Sequence, residues 1–387
     1  MDKKELELYI HIPFCVKKCS YCDFLSAPAT EQIREAYMAA LFAEIGGRAT
    51  EYVDRIVTSI FIGGGTPSLL SGEQIGQLMD CIREHFVLAE DAEITMEVNP
   101  GTATAQKLRT FYKAGINRLS IGMQSAQAQE LKALGRIHDF EGFCQVYREA
   151  ASAGFTNINV DVMSGLPGQT LASYKDTLEK VLHLDPMPQH ISAYSLIVEE
   201  GTPFASMAER GELPLPEEDT ERAMYEETRE VLEKYGFHRY EISNYARDGY
   251  ECRHNVGYWI RRDYLGFGVG AASLIGNVRF QNGRDLTAYL VHPLDCREEE
   301  QSLTPQEQME ETMFLGLRLT KGVPYDAFAR QYGRSPEEIY GEVIARNVAD
   351  GLLQVTEGEG DEKSGLFLAL TKRGLDLSNY VMAQFLF

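Results

Sequence analysis

Apolar and polar side chains alternate over residues 5–12, the two-residue period of a strand with unlike faces. The period becomes helical over 30–46, with Thr30 a candidate N-cap and Ala36, Met38, Leu41, Phe42 and Ile45 supplying apolar positions. Residues 56–62 are rich in β-branched side chains and predict a buried strand, which stops at Gly63-Gly64-Gly65-Thr66-Pro67. Ser71-Gly72-Glu73-Gln74 has capping-box spacing and opens a helix to about Phe86. The exchange of periods continues, with strands predicted over 93–98, 118–122, 157–162 and 191–196 and helices over 104–114, 140–153 and 171–182. Six strand-then-helix units predict an α/β fold with a parallel sheet and helices outside it. The expected architecture is a partial (β/α)6 TIM-like barrel, its functional mouth at the C-terminal ends of the strands.

After Glu199 the alternation weakens. A helix over 217–234 precedes Tyr240-Glu241-Ile242-Ser243-Asn244-Tyr245 and a mixed stretch that includes 254–259 and 266–272. From residue 303 the pattern predicts helices over 303–319, 325–332 and 336–350, a strand over 352–356, an acidic loop, a strand over 366–370 and a final helix. Three helices and a two-stranded wing outline a winged-helix-like α+β domain. The chain thus divides into a barrel (1–245), a connecting segment (246–300) and a C-terminal domain (301–387).

A length of 387 residues suits this division, since single cores rarely grow past ~250–300 residues. The net charge of -21 changes the picture of the C-terminal domain. Winged helices often bind DNA, but residues 301–387 carry eight Lys or Arg against thirteen Asp or Glu, so a packing or partner domain is expected and nucleic acid is not. No apolar run approaches the ~20 residues of a membrane span. A cytoplasmic protein is expected, at most peripheral at a membrane.

Three of the seven cysteines, Cys15, Cys19 and Cys22, are spaced CxxxCxxC directly after the first strand. Three thiolates can hold three irons of a [4Fe-4S] cubane and leave the fourth iron open to a small molecule. A structural zinc site normally has four ligands, and His11 is the one imidazole nearby. Disulfides fit an odd cysteine count and a chain of this size less well.

The run from Tyr9 through His11-Ile12-Pro13-Phe14-Cys15 to Cys19-Ser20-Tyr21-Cys22-Asp23-Phe24 resembles the cluster loop of the radical S-adenosylmethionine (SAM) superfamily. It is similar to the branch that holds the oxygen-independent coproporphyrinogen oxidase HemN and the heme chaperone HemW. The similarity extends through Gly165-Leu166-Pro167-Gly168-Gln169 and His190-Ile191-Ser192-Ala193-Tyr194 into the C-terminal domain. The resemblance implies that SAM chelates the open iron and that an electron from the cluster cleaves it to a 5'-deoxyadenosyl radical.

Gly63, Gly64 and Gly65 end the second strand, where glycines let the backbone approach a ligand. As a bare motif they also suit any tight turn; with Thr66 they resemble the family's SAM-amine loop. Glu97, Gln124 and Asp161 fall at or just after the ends of the third, fourth and fifth strands. Alone, such a carboxylate reads equally as a helix cap or surface charge; together with Arg136 they can hold a zwitterionic amino acid and a ribose. The resemblance implies Arg136 for the SAM carboxylate, and Glu97, Gln124 and Asp161 for the amine and ribose. It places Tyr9, Tyr21 and Ala272 around the adenosine and cluster.

Gly266-Phe267-Gly268-Val269-Gly270-Ala271 has GxGxxA spacing but lacks the surrounding strand-helix-strand unit of a dinucleotide site. His138, His183, His190, His238 and His292 read as surface histidines or ones that support the site from behind, and Cys81 and Cys144 as buried thiols on amphipathic helices. Cys252 and Cys296 receive no role. His254-Asn255-Val256-Gly257-Tyr258-Trp259 sets an imidazole beside large aromatics, which fits either a packed core histidine or a heme ligand. The motif resembles the HemW signature, which implies heme binding at His254.

The function implied is a HemW-like chaperone that passes heme to acceptor hemoproteins such as respiratory membrane cytochromes, with an electron donor for the cluster. The alternative is coproporphyrinogen III decarboxylation, or another porphyrin-acting reaction of the branch such as heme opening. The oxidase carries a further cysteine at the position of Phe24 and an extension before the first strand. Here Phe24 stands at that position and the first strand is expected within the first ten residues.

Overall fold

The structure, a computed structural model, describes residues 3–358 and 365–386. The expected acidic loop falls largely on 359–364, outside the described residues. Six parallel strands, β1 (Lys4–Ile12), β2 (Arg55–Gly64), β3 (Leu88–Val98), β4 (Arg118–Gln124), β5 (Ile158–Ser164) and β6 (His190–Ser195), pair in sequence order. Helices α1 (Glu31–Arg48), α2 (Gly72–His85), α3 (Ala105–Lys113), α5 (Phe140–Ala153) and α6 (Leu171–Leu182) cross between them. Two short helices, α4 (Ala128–Leu134) and α7 (Pro203–Glu209), lie in loops after β4 and β6, and α8 (Glu218–Lys234) follows. Thr30 caps α1, and Ser71 and Gln74 form the capping box of α2.

The sheet stays open and grows at both edges. Antiparallel β8 (Asn244–Ala246) and β7 (His238–Arg239) extend it beyond β6. After α9 (Arg253–Trp259), β9 (Tyr264–Phe267) pairs parallel to β1, and antiparallel β10 (Ala272–Ile275), β11 (Val278–Asn282) and β12 (Arg297–Ser302) follow, giving twelve strands. Residues 246–300, set apart in the sequence as a connecting segment, therefore supply α9 and four strands of the main sheet. Gly266 to Ala271 runs from the end of β9 through the turn into β10, with no helix directly after it. A Cβ on Gly268 would lie 2.3 Å from the Tyr37 hydroxyl, so that glycine allows a packing contact.

Strand alternation sorts the side chains into two environments. Leu6, Leu8, Ile10 and Ile12 are wholly buried in the main hydrophobic core, a gain of ~1.5–3 kcal/mol for each large side chain. Glu7, Tyr9 and His11 take the other face, the barrel interior. Register aligns them with Ser59, Phe61 and Gly63, and Ser59 in turn with Glu93. On the far side Ser120 pairs with Asn159 and Asn159 with His190. A slip of one residue would turn buried carboxylates toward the helices, so the polar interior fixes the register.

The C-terminal domain has its own core, which includes Met313, Leu317, Phe328, Ile344, Leu368 and Phe385. The expected two-stranded wing has a third short strand, Val323–Pro324, beside Leu366–Leu370 and Leu353–Glu357. The expected final helix is two short ones, Lys372–Asp376 and Ser378–Ala383. The domain joins the barrel through the Thr320 amide, which donates to the Tyr240 carbonyl at 3.0 Å, and through Arg318, 4.3 Å above the Trp259 ring. No described helix is long and apolar enough to cross a membrane.

Candidate active site at the barrel mouth

The loop after β1 carries the cysteines and is fastened from several directions. The Cys15 amide donates to the Ala27 carbonyl at 3.2 Å, and the Ala27 amide to the Pro13 carbonyl at 3.0 Å. Phe14 is buried beneath the loop, edge-on to Tyr37 with ring centroids 5.1 Å apart. His11 Nε2 bonds the Leu25 carbonyl at 2.9 Å and Nδ1 bonds the Tyr9 hydroxyl at 2.9 Å. Gly64 makes this packing possible: its φ is +107°, and a Cβ there would lie 2.4 Å from the His11 ring. The Gly65 and Thr66 amides donate to the Ile12 and Phe14 carbonyls at 2.8 and 2.7 Å, binding the glycine turn to the base of the cysteine loop.

A cavity of about 410 Å³ opens at the C-terminal ends of the strands. Cys15, Cys19, Cys22 and Tyr21 line one wall, and Gly64, Gly65 and Thr66 the adjoining turn. Glu97, Gln124, Arg136 and Asp161 reach it from the other strands and the loop after α4. The structure thus brings eleven of the expected residues to one space.

Four lie elsewhere. Gly63 is one residue too deep on β2; a Cβ there would meet the Glu97 carboxylate at 3.1 Å, so it makes room for a site residue. Tyr9 is below the mouth, bonded to His11, and Ala272 is an exposed position at the start of β10. His254 is in the barrel interior. In the turn the Gly64 amide donates to Glu97 Oε2 at 3.0 Å, and the next two amides bond the cysteine loop, so these N–H groups are already used.

The electrostatics are those of a site made for a charged guest. Burial, with Asp161 adding to it, pushes the Glu97 carboxyl up to about 7 against the pull of the Gly64 amide. Burial also raises Asp161, although hydrogen bonds from Asn159 and Ser120 draw it back. Two carboxyls in one cavity, both resisting ionisation, favour a cationic partner. Arg136 supplies the opposite charge: Nη2 donates to the Gly122 carbonyl at 2.6 Å and Nη1 to Cys19 Sγ at 3.8 Å, while buried Nε has no partner. Gln124 holds a φ of +69°, unusual for a residue with a side chain, and its Oε1 accepts from the Tyr194 hydroxyl at 3.0 Å.

Among the described residues no three His, Cys, Asp or Glu side chains converge on a single ion. A cubane takes one thiolate per iron, so three cysteines along one wall fit a cluster by their donor chemistry. Burial pushes the Cys22 thiol up, an effect that a bound iron reverses.

His254 lies on α9, which packs across the lower ends of β1–β3. Its Nδ1 is 2.8 Å from Ser59 Oγ and its Nε2 3.2 Å from the Tyr258 hydroxyl, with the ring stacked on Phe61 at 5.2 Å. It is only 1% exposed, and burial pushes its pKa down to about 3, so it is neutral. Gly257 fits α9 onto Glu7, for a Cβ there would lie 2.0 Å from the carboxylate. Cys252, one of the two cysteines given no role from the sequence, is wholly buried here with Sγ 3.5 Å from Glu93.

Residues 9–181 match the radical SAM superfamily and residues 303–360 the HemN C-terminal domain. A protein named heme chaperone HemW from Bacillus subtilis is 38% identical over 98% of both chains. The chain belongs to the radical SAM superfamily, in its HemN/HemW branch. HemW of Lactococcus lactis is 36% identical, covering all of this chain and 98% of its own. The solved structure of the Escherichia coli radical SAM enzyme HemN, a coproporphyrinogen III oxidase, superposes with a TM-score of 0.85 at 27% identity, covering 100% of this chain and 91% of its own. Membership in the radical SAM superfamily implies a [4Fe-4S] cluster and SAM.

This radical SAM barrel also uses residues that sequence reasoning missed. Tyr194 and Ser120 line the cavity; His190, read from the sequence as a surface histidine or one that supports the site from behind, is wholly buried and bonded to Asn159. The period-two spacing of His190, Ser192 and Tyr194 on one face of β6 was the available signal. Cys81 and Cys144, expected to be buried, are only partly so.

Proposed function

We propose that this protein binds heme and transfers it to acceptor hemoproteins, with a [4Fe-4S] cluster on Cys15, Cys19 and Cys22 and SAM in the barrel cavity. The observation that carries this is full-length kinship with proteins named heme chaperones, 38% identical over 98% of both chains. Arg136 would receive the SAM carboxylate through its unpartnered Nε, and Glu97 and Asp161 the amine and ribose beside Gln124. When bound, the cluster and SAM supply one-electron chemistry. The protein's residues neutralise the zwitterion, orient it against the cysteine wall and shield it from solvent.

His254 is the proposed heme ligand. It is already neutral, as iron ligation requires, and an iron at Nε2 would take the place of the Tyr258 hydroxyl. The acceptors are proposed to include respiratory membrane proteins, which the protein would meet at the membrane surface, and an external donor would reduce the cluster.

The second reading, coproporphyrinogen III decarboxylation, draws on the likeness to HemN. Against it, Phe24 is 59% exposed at the cavity where that oxidase resembles this chain except for a further cysteine. The test is anaerobic reconstitution followed by parallel assays. Stable heme binding without protoporphyrinogen IX formation is expected; turnover of coproporphyrinogen III at ~1 s⁻¹ or more would replace the chaperone reading with the oxidase.

A further inference from the structure

Asp161 reaches the cavity at the end of a chain of buried side chains. Asn159, on the same face of β5, donates from Nδ2 to Asp161 Oδ1 at 2.7 Å and to Ser120 Oγ at 2.7 Å. Asn159 Oδ1 lies 2.6 Å from His190 Nδ1 and accepts from Ser192 Oγ at 3.2 Å. His190 Nε2 lies 2.9 Å from the Tyr240 hydroxyl, and that oxygen accepts the Cys252 amide at 3.3 Å. Asn159 and His190 are 1% and 0% exposed, so no water competes for these bonds.

The chemistry of each group fixes the direction of every link. When Asp161 is ionised to receive a cationic ligand it only accepts, so Asn159 then turns its amide N–H groups toward Asp161 and its carbonyl toward β6. That carbonyl requires a donor, which places the imidazole hydrogen on Nδ1. Nε2 is then the acceptor, and Tyr240 must donate to it. The other tautomer would set two acceptors against each other at 2.6 Å. Asp161 Oδ1 is thereby held inside the barrel. Oδ2 lies 3.5 Å from Ser120 Oγ, and Asp161 lines the cavity.

We propose that His190 and Asn159 are positioning residues for Asp161, fixing which carboxylate oxygen is held within the barrel and which is presented to a ligand. The proposal rests on the reading of Asp161 as a SAM contact. Tyr240 brings the chain to the edge of the C-terminal domain, because its carbonyl accepts the Thr320 amide at 3.0 Å. The positioning of a cavity group therefore depends on a tautomer on the neighbouring strand.

Packing and positioning make different demands at residue 190. Glutamine can offer an N–H to Asn159 and a carbonyl to Tyr240, as the neutral imidazole does; leucine fills space and offers neither. SAM affinity, measured by calorimetry on anaerobically reconstituted full-length protein, is expected to fall about 5- to 20-fold in His190→Leu and to stay within about twofold in His190→Gln. Tyr240→Phe removes one hydroxyl from a folded protein. It should leave the Nδ1–H tautomer, which Asn159 fixes, in place, shift the nitrogen-15 signal of the Nε2 that loses its donor, and weaken SAM binding about two- to fivefold.

Wild-type affinity in His190→Leu overturns the proposal, as does equal loss in the Leu and Gln variants, which packing alone would give. Should His190→Leu fail to fold, an Nε2–H tautomer of His190 in the wild type, or unchanged SAM affinity in Tyr240→Phe, overturns it instead. Asp161→Asn separates the two levels. Wild-type SAM affinity there removes Asp161 from the site altogether, whereas a loss of about tenfold or more beside an unaffected His190→Leu overturns only the positioning role.

Discussion

Glu97 accepts the Gly64 amide hydrogen at 3.0 Å, so the carboxylate at the end of β3 and the glycine turn at the end of β2 are held as one piece. Because that turn also holds the cysteine loop, the anionic side of the cavity and the thiol wall share a frame.

The raised carboxyl of Glu97 predicts a pH-dependent SAM affinity. With its pKa near 7, the group is largely protonated at pH 6 and must release a proton to receive a cation. Affinity is therefore expected to rise with pH up to about 7, by no more than about tenfold per unit, and to level off above it. Glu97→Gln should remove that slope and weaken binding roughly ten- to a hundredfold at pH 8; Arg136→Ala should weaken it similarly while keeping the slope. Calorimetry at pH 6 and 8 checks both. Wild-type affinity in both variants would remove the pair from the site.

Alanine at Cys15, Cys19 or Cys22 should abolish or degrade the iron–sulfur absorbance after anaerobic reconstitution. Cys252→Ala and Cys296→Ala should leave it intact, because Cys252 bonds Glu93 in the barrel interior and Cys296 the Pro293 carbonyl at 3.0 Å. A full cluster signal in Cys19→Ala would show that the ligand set is wrong.

At His254 the structure predicts opposite effects from neighbouring substitutions. His254→Ala should reduce heme binding or transfer and spare the cluster, while lowering stability by roughly 1–3 kcal/mol through the lost hydrogen bonds. Tyr258→Phe removes the hydroxyl 3.2 Å from Nε2 and should raise heme affinity about two- to tenfold, since the iron no longer competes for that lone pair. Heme titration followed by absorbance measures both. Unchanged binding in both variants would place the heme elsewhere.

Glu7 predicts how stability depends on pH. Burial pushes its pKa up to about 8, with Arg262 and Ser59 opposing, so the folded state keeps a proton that the unfolded chain releases near its ordinary value of 4.5. The stabilisation is complete below the unfolded value and is lost as pH rises through about 8. Denaturant unfolding at pH 5.5, 7 and 9 should show a decline on the order of a few kcal/mol, and Glu7→Gln should flatten it. An equally steep decline in the variant would assign the effect to other groups.

The barrel was legible where one face of a strand is apolar and the other is not, as at Leu6, Leu8, Ile10 and Ile12. The helix caps at Thr30 and Ser71 were equally legible, because a cap is a contact over three residues. The positions of His190 and His254 were not. Each is defined by partners about 30 to 195 residues away, Asn159 for one and Ser59 for the other, and no local pattern carries such a pairing. Ala272 and Tyr9 show the converse: both were named from resemblance, and both stand outside the cavity.

The lower end of the barrel, where α9 rests on Glu7, Ser59 and Glu93, admits no solvent to Glu7, Arg118 or His190, which are 0%, 1% and 0% exposed. The mouth is the side on which this cavity meets solvent, so a guest seated against Asp161 and Glu97 lies deeper than one at the exposed Phe24 and Ile197 rim.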